Sequence, residues 1–173
     1  MCRRAVEVGL TGIALTEHDL WWPRSEYEGL KEMFPELTIL QGIEYSCPQG
    51  HFLVFLPHSA EDLVFQSYKI LNLIEEVHGH HGIVIWAHPF RFDYTFYPAW
   101  LDAADLDGIE VASSNMDHPM KILAQGVARQ NGIMPFENSD AHHLDTLGKY
   151  FNEIPVRLKD TEDFIDYVRR KSV

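Results

Sequence analysis

Residues Leu37–Leu56 read LTILQGIEYSCPQGHFLVFL. Two runs rich in apolar and β-branched residues, Leu37–Cys47 and His51–Leu56, each have the length and composition of a strand. Pro48-Gln49 between them makes a tight turn, so the second run returns beside the first. With a two-residue loop, Ser46 lies opposite His51. Glu44 then sits one diagonal step away on the same face, roughly 7–8 Å off at the backbone. A carboxylate and an imidazole so placed come within reach of one metal ion.

Working outward, strand-like and helical segments alternate. Arg3–Val8 reads as the end of a helix with Gly9 as its C-cap, Leu10–Thr16 as a buried strand, and Ser25–Phe34 as a helix with Ser25 at the N-cap. Asp62–Val77 is an amphipathic helix, Gly82–Ala87 a strand and Trp100–Ala104 a short helix. Leu106–Ala112 is a strand, and Pro119–Asn131 a helix ending at Gly132. Ile133–Asn138 and Tyr150–Leu158 read as strands, and Thr161–Arg170 as a closing helix. This alternation predicts a mostly parallel α/β sheet or barrel covered by helices, formed as one domain over residues 1–173. An open doubly wound sheet fits the pattern too. A dinucleotide-binding version is disfavoured, because no Gly-x-Gly-x-x-Gly follows a strand.

Composition narrows the function classes. No apolar run reaches the length of a membrane span and no signal peptide is visible. Two cysteines, Cys2 and Cys47, are too few for a disulfide framework, so a reducing cytoplasm is the expected setting. The net charge is −12, and the first basic run is Arg169-Arg170-Lys171. Extended nucleic-acid binding is therefore disfavoured. A small phosphorylated substrate is not, since bound divalent cations invert the local field.

The polar residues gather at strand ends. LTGIALT runs into Glu17-His18-Asp19, LTILQGI into Glu44, GIVIWA into His88-Pro89, and IMPFEN into Ser139-Asp140-Ala141-His142. The C-terminal ends of parallel strands are where α/β folds build active sites. Imidazole nitrogen with carboxylate oxygen suits Zn, Mn and Fe(II). A carboxylate can bridge two ions, which makes Glu44 the natural bridge, and two ions can activate water and stabilise the leaving oxygen of a phosphate ester. Other polar or aromatic groups have plainer readings. His78, His80 and His81 form a solvated helix end, while His143 points away. Asn115 and His118 stand near the same mouth. Trp21-Trp22 and Phe90 to Phe96 line a pocket or simply pack.

In order along the chain, these segments resemble the motifs of the polymerase-and-histidinol-phosphatase (PHP) family. Ala5–Asp19 (AVEVGLTGIALTEHD) is similar to its second motif, with Glu17 in place of the usual Asp. Gly42-Ile43-Glu44 resembles Gly-x-Glu, His51-Phe52-Leu53 His-x-Leu, and Ala87-His88-Pro89, followed by Arg91, Ala-His-Pro. Gly108–Val111 resembles the next strand, Ser139–His142 the last metal motif, and Gly148-Lys149-Tyr150 the start of the strand after it. The family opens with a strand carrying His-x-His, and this chain has no histidine before His18.

The resemblance implies a distorted (β/α)7 TIM-like barrel, here expected without its first strand, and two or three divalent ions (Zn, Mn or Fe). It implies His18, Glu44, His51, His88, Asp140 and His142 as metal ligands, with His18 and His142 serving a further ion. Glu17 orients a ligand imidazole. Glu44 and Asp140, with Arg91 holding phosphate, are the implied catalytic groups. The expected activity is hydrolysis of small phosphomonoesters or nucleotides. The rivals are exonucleolytic trimming of nucleic-acid ends, a metal-poor binding module, and carbon–nitrogen bond hydrolysis, which a strand-end lysine would favour and which is not found.

Overall fold

The computed structural model describes residues 1–60, 63–91 and 97–171. Six strands form one sheet in sequence order: β1 (Gly12–His18), β2 (Thr38–Cys47), β3 (Gly50–Phe55), β4 (Ile83–Trp86), β5 (Gly108–Ser113) and β6 (Pro135–Asn138). β1 and β2 are parallel, as are β4, β5 and β6, and β3 runs antiparallel between β2 and β4. The sheet curls into a half-barrel. Among the described residues its strand order is linear and six strands are present, so the expected (β/α)7 barrel without its first strand is seen in part, as an open sheet.

The hairpin forms as its sequence requires. Ser46 pairs with His51 and Cys47 with Gly50, leaving Pro48-Gln49 as the two-residue loop. Gly50 takes φ +130°, which a side chain would resist. Because β3 is antiparallel, its first residues lie at the same mouth as the last residues of the parallel strands, and His51 arrives there from the opposite direction.

The register traces the two faces. Glu44 pairs with Leu53, Leu53 with Ile85, Ile85 with Gly108, and Glu110 with Phe136. This inner face buries Leu40, Phe55, Ile83, Ile85 and Phe136 against Phe164, Ile165 and Val168 of the closing helix α5 (Thr161–Lys171). The i, i+1, i+4 spacing puts those three on one stripe. Gly42 makes room for this plug beneath Glu44, since a Cβ there would stand 2.8 Å from the Phe55 ring.

The outer face (Ile43, Phe52, Val54, Val84, Trp86, Ile109) packs on α3 (Ile70–Gly79) and α4 (His118–Asn131). Asp117 caps α4 by accepting from Met120 N, and Gly132 ends it at φ 66°. β1 and the start of β2 pack on α1 (Cys2–Glu7) and α2 (Arg24–Met33). Among the described residues, no helix is long and apolar enough to cross a membrane.

Four expectations are corrected. The helix predicted from Asp62 begins at Ile70, and Asp62 itself lies outside the described residues. Trp21 Nε1 and Tyr45 OH donate to the carbonyls of Leu63 and Ser67, engaging groups a helix would use internally. Ser25 is not an N-cap: α2 starts at Arg24 after Pro23, whose carbonyl accepts from Glu26 and Tyr27. Trp100–Ala104 is only a 3-10 turn over Leu101–Ala103.

Tyr150–Leu158 is not a strand. It does pass β6 in an antiparallel sense, because Ser139 Oγ donates to Tyr150 O while Asn152 exchanges two bonds with the Glu137 backbone. Side chains make those bonds where a ladder would use backbone. Pro155 has no N–H to continue one.

Candidate metal centre

β1 continues to His18, two residues beyond its predicted end. His18 stands beside Glu44 in register and Glu17 beside Ile43. Alternation therefore turns His18 towards the inner face and Glu17 away from it. Glu17 is exposed and makes no hydrogen bond to a site imidazole among the described residues. Its expected orienting role is not seen. Asp19 instead fixes the strand end: its N–H donates to Glu44 O, and its carboxylate accepts from Ser46 N at 2.8 Å.

At the mouth, two imidazoles converge on one carboxylate oxygen. Glu44 Oε1 lies 2.7 Å from His51 Nδ1 and 2.9 Å from His88 Nε2. His18 Nε2 is 3.9 Å from Glu44 Oε2. The His51 ring sits edge-on between those of His18 and His88, with centroids 5.1 and 5.0 Å away. Glu44 and His88 are buried at 6% and 3% exposure, so the cluster's centre is shielded from water. His18, Glu44 and His51 each offer a ligand atom, and all three atoms lie within 4.8 Å of one another.

This donor set fits a divalent transition metal. A carboxylate only accepts hydrogen bonds, so both convergent imidazole nitrogens carry protons here. A divalent cation bound by these nitrogens would take the place of those protons. Burial pushes the Glu44 carboxyl up, but the hydrogen bond and charge of His88, with His18 and His51, outweigh it and leave the pKa below its ordinary value. Burial pulls His88 down, while its bond to Glu44 and the charges of Glu110, Glu44 and Asp140 outweigh it and raise the pKa above its ordinary value.

Asp140 completes the rim. Its backbone has φ 45°, and its carboxylate accepts a short hydrogen bond from Asn115 Nδ2. His142 is exposed, with its Nδ1 3.2 Å from Asp140 O and 3.6 Å from Asp140 Oδ1. The expected partnership of His18 with His142 is therefore not seen in their contacts, which are to Glu44 and to Asp140 respectively. Positive φ recurs here at Asp19 (52°), His88 (26°), Phe90 (70°) and Asp140 (45°), the kind of backbone strain that gathers at functional sites.

Glu110 carries no role in the sequence reading beyond its place in a strand motif. The structure buries it beside His88, where Oε2 accepts from His88 N and Oε1 from Asn138 Nδ2, each at 2.6 Å. Burial pushes its carboxyl up to about 7, against the pull of those two bonds. A charged residue in an otherwise apolar strand was the available signal. A β-bulge between Glu110 and Ala112 lies in the same strand.

A cavity of about 520 Å³ opens beside His51 and His88. Its apolar wall includes Trp86, Phe90 and Trp100, packed at 5.3 and 4.9 Å around Trp86, and exposed Arg91 stands on its lining. Trp21 and Trp22 pack against the core instead, and residues 92–96 of the predicted aromatic cluster lie outside the described residues. Cys47 also lines the cavity; burial pushes its thiol up to about 12, so it stays protonated and is a poor ligand. His118 is exposed at the start of α4.

Residues 123–173 match a family model described as PHP-associated. No curated protein matches the chain by sequence. Several solved structures share its fold, three of them as follows. A proposed metal-dependent phosphoesterase from Bifidobacterium adolescentis is 16% identical, with a TM-score of 0.68 over 98% of this chain and 89% of that one. PsfC from Pseudomonas syringae is 18% identical, with a TM-score of 0.71 over 95% and 77%. A two-domain protein from Bacteroides vulgatus containing a predicted PHP-like metal-dependent phosphoesterase is 20% identical, with a TM-score of 0.60 over 82% and 46%.

Proposed function

Since the C-terminal match and the shared fold support a PHP-family domain, we propose that this chain is a metal-dependent hydrolase of small phosphate monoesters or nucleotides. The observation that carries the reading is the convergence of His51 and His88 on one oxygen of buried Glu44, with His18 on the other.

His18, Glu44, His51 and His88 are the residues that hold divalent cations, with Asp140 and His142 at the rim. Bound there, the cations supply Lewis acidity to activate water and neutralise charge on a phosphate ester. Glu44 contributes the buried negative charge that draws cations in, and two oxygens with which to share them. The imidazoles bind once their protons leave, so loading is favoured as pH rises. Arg91 offers its guanidinium to a phosphate oxygen, and the aromatic-walled cavity receives the organic part of the ester.

The acidic balance, with a net charge of −12, favours a small substrate over a long nucleic acid. The test is elemental mass spectrometry of metal-supplemented protein, alongside hydrolysis of p-nitrophenyl phosphate. Wild type is expected to hold at least one transition-metal ion per chain and to turn over the ester. Glu44→Ala is expected to lose both together, and activity surviving that change unaltered would sink the reading.

A further inference from the structure

Glu110 is 2% exposed in a strand whose other residues are Gly, Ile, Val, Ala and Ser. Burying a carboxyl costs free energy unless both oxygens find partners. Both do. Oε2 accepts the backbone N–H of His88 and Oε1 the side-chain amide of Asn138. The chain of bonds continues outward. Asn138 Oδ1 accepts from Asn152 Nδ2 at 2.9 Å, and Asn152 also exchanges two bonds with the Glu137 backbone. A continuous relay thus runs from the exposed segment after β6, through Asn138 and Glu110, to the backbone of His88.

Its end point is the conformationally costly one. His88 has φ 26° and is followed by Pro89 and by Phe90 at φ 70°. A non-glycine residue persists there only when its surroundings over-determine it. Ala87 N is held by His51 O, His88 N by Glu110, and His88 O by Arg91 N. In that backbone setting His88 Nε2 reaches Glu44 Oε1.

We propose that Glu110 is a positioning residue, which together with Asn138 and Asn152 holds the strained His88 backbone so that the imidazole meets Glu44, and so sets the affinity of the centre for a divalent cation. This rests on the metal-centre reading above.

The test is a double-mutant cycle read as Zn²⁺ affinity, by competition with a chromophoric chelator, on Glu110→Ala, His88→Ala and the double variant. Glu110→Ala is expected to weaken Zn²⁺ binding roughly 10- to 100-fold, the usual cost of removing a group that orients a ligand. In the His88→Ala background the same change is expected to matter less than about threefold, because the two residues act through one contact. Glu110→Gln, which keeps an oxygen for His88 N–H but sets an amide donor against Asn138 Nδ2, is expected to recover part of the loss. Equal losses in both backgrounds, or a drop in urea stability with Zn²⁺ affinity unchanged, overturn the proposal.

Should Glu110→Ala not fold, exposed Asn152→Ala tests the same relay, with a smaller loss that again vanishes without His88. Should wild type bind no Zn²⁺, the metal-centre reading fails by itself. The relay is then judged from the hydrogen-bonded imidazole N–H resonance of His88 in metal-free protein. Its disappearance in Glu110→Ala supports the positioning role, and its persistence ends it.

Discussion

A carboxylate oxygen can only accept, and Asp107 spends one oxygen on two donors. Its Oδ2 lies 2.8 Å from both Val84 N and His78 Nε2. The end of α3 is thereby tied to the entry of β4 and β5, and His78 is half-buried rather than the solvated helix end that its His-rich neighbourhood predicts. The Asp107 hydrogen bond, partly opposed by burial and aided by the charges of Asp107 and Asp105, raises the His78 pKa above its ordinary value. The folded protein therefore holds this proton more tightly than the unfolded chain. That stabilisation is fully present below the unfolded pKa, about 6.5, and is lost as pH rises through the higher folded value. Urea unfolding of metal-free protein is expected to show stability declining in this window, with the decline shallower in His78→Gln. His88 and Glu110, both raised in the same direction, keep the remainder. Asp107→Ala is expected to cost about 1–3 kcal/mol at pH 6, since Val84 N–H loses its buried acceptor. An unchanged pH slope in His78→Gln would remove the ion pair from the account.

At the scale of elements, α5 decides how deep the centre sits. It fills the inner face below Glu44 with Phe164, Ile165 and Val168, and the Phe164 ring stands edge-on to Phe55 at 5.0 Å and to Phe136 at 6.1 Å. Phe164→Ala leaves a cavity under the site and is expected to cost about 3–5 kcal/mol by urea unfolding. A loss below about 1 kcal/mol, within reach of an exposed position, would mean that α5 does not plug the sheet. The hairpin register, and with it the meeting of Glu44 and His51, was legible because a two-residue loop leaves little freedom. So was every strand that is both apolar and bounded by turn residues. Tyr150–Leu158 was not, because its apolar residues fit a strand while its partners are the side chains of Asn152 and Ser139. No period-2 pattern encodes such bonds. The Asn138–Asn152 pair was missed for the same reason, since the relay joins residues distant in sequence through their side chains, and for Glu110 the one sequence signal was a charge among apolar strand residues.

At the scale of the whole molecule, a −12 chain gathers four candidate metal ligands at one mouth of a half-barrel whose inner face beneath them is packed with apolar side chains. A ligand that binds only the folded arrangement stabilises it by mass action, by about 2.7 kcal/mol at a free concentration one hundred times Kd. Zn²⁺ is therefore expected to raise the thermal midpoint in a concentration-dependent way. The increment has a direction in pH as well. A protonated imidazole must lose its proton to bind, and His88 holds its proton more tightly than a free histidine: burial opposes this, but Glu44 and the neighbouring carboxylates prevail. Lowering the pH from about 7.5 to 6, across the ordinary histidine value, should thus shrink the Zn²⁺-induced shift. Glu44→Ala should abolish the shift at both values, because it removes the oxygen on which the imidazoles converge. Differential scanning calorimetry at fixed Zn²⁺ measures all three quantities. A shift that stays constant with pH, or survives Glu44→Ala, would place the cation elsewhere on this acidic surface and detach the cluster from metal binding.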